Sequence, residues 1–275
     1  MTRQSALDAE VFLSVGGARG AGAVRLAALW LAGGGIWISA MFAAAPSGAW
    51  RQTTFFPAAE AKQAAAADER FVYAITNRLI AKYDRSTFKR LAVSRGEATH
   101  LNSGFFWQGK LYCAHSNFPT KPEQSQLMVL DCDTMQLTPF KDFGNYGGSL
   151  TWAVRRGDHW WCNFAIYGDD NAQTFLVEFD DRWHELARWT YPAELIGRIG
   201  KASLSGGIWL DHTLLVTDHD HPRLYALRLA SEGRVLEFIA EQPAPITGQG
   251  IALDPLTGGM VGINRPDSRV VFFQR

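Results

Sequence analysis

The chain reads as an all-β protein, a five-bladed β-propeller of four-stranded antiparallel blades preceded by an N-terminal hydrophobic helix. Three features predict it. An apolar strand phrase recurs at Phe71-Val72-Tyr73, Leu111-Tyr112-Cys113, Trp160-Trp161-Cys162, Leu214-Leu215-Val216 and Met260-Val261-Gly262, at spacings of roughly 40–54 residues, the period of a propeller blade. A further strand phrase follows each one: IAKYD, LMVLD and LVEFD, ending at Asp84, Asp131 and Asp180, then LYALRL and VVFFQR. The runs between them are short and broken by Gly, Pro, Asn and Asp, the punctuation of hairpins.

The unit is clearest in residues 99–140, where Leu101 to Trp107, Lys110 to His115, Gln126 to Asp131 and Met135 to Phe140 alternate with turns. The same register places blades near 59–95, 97–141, 146–191, 201–240 and 247–275. First strands are rich in small residues (QAAAAD, HLNSG, GSLTW, SLSGG, GQGIA), as suits strands crowded around an axis. Asp84, Asp131 and Asp180 open the turn into the fourth strand, where a carboxylate can accept backbone N–H groups two residues on. The fifth unit stops after its third strand. A ring with no open sheet edge needs another, and Arg51 to Phe56 (RQTTFF) has the β-branched and aromatic content to supply it. Locally, Ala58 to Ala67 also reads as helix from its alanines.

Of the 275 residues, 47% are hydrophobic and 20% charged, an ordinary globular composition able to bury a large core. Net charge is zero and the basic residues are scattered, which argues against nucleic acid as a partner. Ten Trp fit packing between sheets, Trp107, Trp152 and Trp209 included. Cys113, Cys132 and Cys162 match no metal spacing and read as buried free thiols.

Leu26 to Trp50 contains no charged residue; Arg25 precedes it, and Ala43-Ala44-Ala45 resembles a signal peptidase site. Residues 1–45 are therefore expected to be a signal peptide or a membrane anchor, with 46–275 as the propeller. The expected location is periplasmic or secreted, the alternative being a membrane-anchored propeller outside the cytoplasm; membrane contact is expected only through an uncleaved N-terminal segment.

Successive strands run antiparallel, so first-strand starts and second-strand ends share one face. Polar residues there converge around one mouth of the central tunnel. Three are histidines, His100, His115 and His219, which can serve as general bases or metal ligands, or simply tie blades together. Candidate ligand-binding residues are Asn77, Asn102, Asn163, Tyr167, Ser205, Asp218, Gln249, Asn264 and Arg265. The run Thr217 to Pro222 (TDHDHP) looks metal-binding, but one loop does not usually turn four successive side chains to one ion; Asp220 and His221 are expected to face solvent. No metal site and no cofactor is assigned, and no HExxH, CxxC pair, GxSxG or Walker loop occurs. Axial carboxylates are too few for a glycosidase pair, with only Asp68, Glu97 and Asp254 near inner strands.

The phrases FVYAITNRLIAKYDR, GSLTWAV, SGGIWLDHTLLVTDHD and GQGIALDP, within Ala64 to Arg275, resemble exported bacterial propellers of the lactonase-like, NHL-like and YncE-like group. That resemblance implies a cleft furnished with His, Arg or metal-binding carboxylates. Two functions follow as expectations. One is a monomeric exported propeller that binds a small polar molecule or a protein loop at its tunnel mouth. The other is a lyase, lactonase or isomerase-type enzyme using a mouth histidine as base, with Arg265 pairing a substrate carboxylate.

Overall fold

A computed structural model describes residues 48–275. The signal or anchor expected over residues 1–45, and its hydrophobic helix, lie outside the described residues. Among the described residues no helix is long and apolar enough to cross a membrane.

The described chain begins with β1 (Arg51–Pro57), set aside for the last blade. Blade one follows as β2 (Ala64–Ala67), β3 (Phe71–Ile75), β4 (Ile80–Asp84) and β5 (Arg90–Val93); blade two is β6 (His100–Trp107), β7 (Lys110–Ser116), β8 (Ser125–Asp131) and β9 (Gln136–Gly144). Blade three holds β10 (Ser149–Arg156), β11 (His159–Ala165), β12 (Phe175–Phe179) and β13 (Glu185–Thr190). Helix α1 (Ala193–Ile199) leads to blade four, β14 (Gly207–Leu210), β15 (Thr213–Thr217), β16 (Arg223–Arg228) and β17 (Glu237–Pro243). Blade five is β18 (Ala252–Leu253), β19 (Met260–Asn264) and β20 (Arg269–Gln274), completed by β1. Each blade is a four-stranded antiparallel sheet, and β1 pairs with β20 from Arg51↔Gln274 to Pro57↔Arg269. The ring therefore closes with strands from both ends of the domain, which removes the open edge.

The alanine-rich stretch is strand at Ala64–Ala67, not helix, because all four side chains are buried between neighbouring inner strands. Inner strands of blades four and five are shorter than expected: Ser203–Gly206 and Gly248–Ile251 run as connectors before β14 and β18. Helix α1 was not anticipated; Pro192 precedes it, Gly200 ends it, and Leu195 and Ile199 bury its apolar side.

Hydrogen bonds lace the inner edge right around the ring. Leu101 N donates to Asn77 O (2.8 Å) between blades one and two. Asn102 Nδ2 reaches Leu150 O (3.0 Å) between two and three, and Thr151 Oγ1 reaches Leu204 O (2.9 Å) between three and four. Thr217 Oγ1 donates to Gln249 O (2.6 Å) between four and five, and Gly250 N donates to Gln63 O (2.9 Å) back to blade one. A Cβ on Gly250 would lie 2.6 Å from the Ala64 Cβ and 2.8 Å from the Ser103 Cα. Backbone and small side chains thus fill the axis at this level, and the expected tunnel mouth is the opening of a cup with a floor.

Tryptophans pack between blades as expected. Trp107 meets Trp160 at 5.4 Å, Trp209 meets Trp161 at 5.0 Å, and the ring of Trp152 fits only because residue 207 is glycine, whose Cβ would lie 2.5 Å from it. Each joins a blade to its neighbour. Cys113 and Cys162 are buried free thiols; Cys132 is also free but only half-buried, since it sits in the turn after β8.

Candidate functional site

The cup is built by two kinds of segment that the antiparallel order brings to one end of every blade. These are the turns from second to third strand and the connectors entering first strands. Just past the end of each second strand stand Asn77, Phe118, Tyr167, His219 and Arg265, one per blade, and all five line a single cavity of about 690 Å³. Connectors add Gln63, His100 with Asn102, Ile199, Lys201, Ala202, Ser205 and Gln249. That volume suits a small organic molecule.

The wall is uneven. Besides residues 244–251, which enter blade five, its long segments are residues 117–124, 166–174 and 191–206, in blades two, three and the passage to four. They brace one another: Gly168 N donates to Lys201 O (3.1 Å), Asn171 Nδ2 to Gly200 O, and Lys201 Nζ pairs with Asp169 at 2.6 Å. On this side Phe118 packs against Tyr167 (4.5 Å between centroids) and edge-on to His100 (5.5 Å). Aromatic rings therefore form one arc of the cup.

The facing arc, from blades four and five, carries charge. His219 Nδ1 lies 2.6 Å from Asp220 Oδ2, and because a carboxylate only accepts, Nδ1 is the donor of this bond and the ring is oriented by it. Asp220 Oδ1 stands 3.8 Å from Arg265 Nη1. Asp220 is mostly in solvent, as expected, with its side chain 63% exposed, and it also borders the cavity and holds His219. His221 does turn away, to Asp218.

Burial first, then the positive Arg265, hold the His100 imidazole below its ordinary pKa; a side-chain hydrogen bond with Asn102 works the other way, and His219 depresses it further. His100 is therefore a neutral base at neutral pH. Burial also raises the Tyr167 phenol, with a hydrogen bond to Ser203 opposing and Glu123 adding to the rise.

The structure brings Asn77, His100, Asn102, Tyr167, Ser205, His219, Gln249 and Arg265 to the cavity wall. It does not bring His115, Asn163, Asp218 or Asn264 there. His115 lies behind His100, its Nε2 accepting the Thr99 backbone N–H at 3.0 Å; burial, then His100, push its pKa down to about 4. Asn163 is a fully buried tether, with Nδ2 on Thr151 Oγ1 (2.8 Å) and Oδ1 accepting the Tyr191 hydroxyl (2.7 Å). Asp218 caps its turn as Thr76 and Asn117 cap theirs: it accepts the backbone N–H of Asp220 and His221 and the Tyr225 hydroxyl (2.8 Å). Burial alone would raise its pKa, but the hydrogen bonds from Tyr225 and His221 outweigh that and hold it low. Asn264 ends β19 one residue short of the cavity position that Arg265 takes.

Sequence reasoning missed Phe118, Gln63 and Lys201. The register would have found Phe118, since it stands two residues past its second strand, as do Asn77, Tyr167 and His219. Lys201 lies on the α1 connector, whose path no repeat encodes.

Among the described residues no group of three or more His, Cys, Asp and Glu side chains is placed to hold a metal ion. The class that fold and site define is a five-bladed propeller with a floored cup at one end.

No family model and no curated protein matches the chain. Solved structures do. The Myxococcus xanthus glutaminyl cyclase superposes with a TM-score of 0.57 at 8% identity, over 82% of this chain and 96% of that one. The β-propeller domain of Cps50 (Swd1) from Myceliophteria thermophila gives 0.46 at 9% identity, over 81% and 99%. At such identities the likeness concerns the fold.

Proposed function

We propose that the protein holds a small polar molecule in the cup, outside the cytoplasm. The observation that carries this is the convergence of five different side chains, one from the same place in every blade, on one cavity. A purely architectural end would repeat one residue type, as the opposite end of the blades nearly does; here the position is occupied by amide, phenyl, phenol, imidazole and guanidinium. Amide, hydroxyl, imidazole and guanidinium groups line the cup, which suits recognition of a polar ligand. The location rests on the apolar, uncharged stretch Leu26 to Trp50.

The test is native mass spectrometry of the purified protein for co-purifying small molecules, repeated with Phe118→Ala. A bound species lost in the variant is the expected result. An empty cup in both, with no thermal shift across a metabolite library, would refute the reading.

A specific observation favours a second reading, an enzyme moving protons. His219 is oriented by Asp220 through Nδ1, and neutral His100 from blade two and His219 from non-adjacent blade four line one cavity. The similar M. xanthus protein is an enzyme by name, so this fold accommodates catalysis. Lyase, lactonase and isomerase chemistry all need such a base. In this reading His219→Ala abolishes turnover while binding survives; turnover unaffected by His219→Ala and by His100→Ala would dismiss it.

A further inference from the structure

We propose that the cup selects small carboxylates bearing an aromatic or apolar body, with Arg265 as the anchor for the carboxylate. This rests on reading the cup as a ligand site and goes on to name the ligand class.

The first support is the state of Arg265. Arginines elsewhere in the fold, Arg85, Arg155 and Arg223 among them, hold a carboxylate oxygen at 2.6–2.7 Å. Arg265 has its nearest carboxylate, Asp220, at 3.8 Å, outside hydrogen-bond range, and that carboxylate is already bonded to His219. The guanidinium lines the cavity with its side chain 38% exposed. Its backbone is held, since Arg265 N donates to Thr247 Oγ1 at 2.9 Å and Pro266 follows. An open guanidinium fork is the group that matches a carboxylate's two oxygens.

A second support comes from blade one, the ring neighbour of blade five. Gln63 Nε2 donates to Asn77 Oδ1 at 2.5 Å, which orients the Asn77 amide and leaves its N–H pair for another acceptor. Gln249 Nε2 gives one of its two N–H groups to His219 O (2.5 Å), so the Asn77 amide and the Arg265 guanidinium stand among the donors on this side. Across the opening, Phe118 and Tyr167 give the apolar surface for the remainder of the molecule.

The formal charges lining the cavity are Arg265 and Lys201 against Asp220, and His100 is neutral. Lys201 is already paired with Asp169, so Arg265 carries the selectivity.

The experiment titrates 3-phenylpropanoate and its uncharged amide, 3-phenylpropanamide, into the purified protein, wild type, Arg265→Gln and Arg265→Lys, by calorimetry and ligand-observed NMR. The acid is expected to bind about tenfold or more tighter than the amide, with the difference abolished by Arg265→Gln and partly kept by Arg265→Lys. Melting temperatures close to wild type would show that the variants are folded. Equal binding of acid and amide, unaffected by Arg265→Gln, overturns the anchor while leaving the cup a ligand site. Binding of neither probe, with no thermal shift across a panel of carboxylates, overturns both.

Discussion

The two ends of the blades are made from the same strands but are written differently. At the end away from the cup the chain repeats itself. Asp84, Asp131 and Asp254 each begin a D-x-x-T turn, in which the Asp carboxylate accepts the hydroxyl of Thr87, Thr134 or Thr257 (2.8, 2.8 and 2.6 Å). The Asp carbonyl accepts the N–H of Phe88, Met135 or Gly258, and all three of those residues take a positive φ. Asp180 makes a shorter version, with Trp183 at φ 66°. At the cup end the matched positions share no residue type. Where one geometry must be made many times, one side-chain solution recurs; where the blades diverge, side chains answer to something other than the turn. That contrast locates the functional face without any homologue.

The largest expected effect lies at the repeating end. Asp254 has a fully buried side chain and is paired with Arg85 at 2.6 Å, blade five to blade one, on the seam that β1 closes. Asp254→Ala removes the turn cap and leaves the Arg85 guanidinium, still bonded to Asp68 O, without its carboxylate partner, so it should cost about 3–5 kcal/mol in denaturant unfolding. A loss below about 1 kcal/mol would mean the seam is held by the β1–β20 ladder alone.

Next comes a pH effect from the layer behind the cup. His115 is neutral in the fold with a pKa of about 4, against 6.5 when unfolded. Between those values the unfolded chain binds the proton and the folded one does not, so stability is full above pH 6.5 and falls as pH drops toward 4, by roughly 3 kcal/mol. Replacing His115 with Gln should flatten the stability profile over that window, measured by chemical denaturation at each pH. An unchanged slope would assign the acid sensitivity to other groups.

The same contrast explains what could be read beforehand. Blade number, strand register and the Arg51–Phe56 closure were legible because each is a repeated hydrophobic period, and Asp84, Asp131 and Asp180 because a turn has few chemical solutions. The mouth was legible as a place, since strand direction alone decides which residues gather there. Membership was not. Asp218 and Asn163 carry the same polar groups as true lining residues, and only three-dimensional contacts reveal that both are consumed by neighbours. Phe118 was passed over because an apolar residue announces no chemistry, and Asp220 because a carboxylate that stands mostly in solvent gives no sign that it also borders the cavity and bonds His219. Connectors with no period, such as α1 and Lys201, leave no trace in a repeat.

A smaller effect sharpens the division. Asp131 is a turn cap far from the cup, and its carboxyl is held below its ordinary pKa by the Thr134 backbone and hydroxyl groups. Asp131→Ala should lower the melting temperature by about 2–4 °C and leave ligand affinity untouched. A changed affinity would couple the two ends and undo the separation drawn above.

The smallest stability change, and the most pointed test, belongs to Asn77. Asn77 is exposed and its side chain accepts a hydrogen bond from Gln63, a residue that also lines the cup, so Asn77→Ala should alter folding free energy by no more than about 0.5 kcal/mol. Asn77 lines the same cavity as Arg265, so loss of its amide donors should weaken a carboxylate ligand by about fivefold to tenfold, the worth of a hydrogen bond to a charged acceptor. Asp131→Ala and Asn77→Ala thus make opposite predictions for the same pair of measurements, melting temperature and affinity. If both variants lose stability and neither loses affinity, the diversity at the cup end is an accident of loop lengths, and the recognition face must be sought elsewhere on the ring.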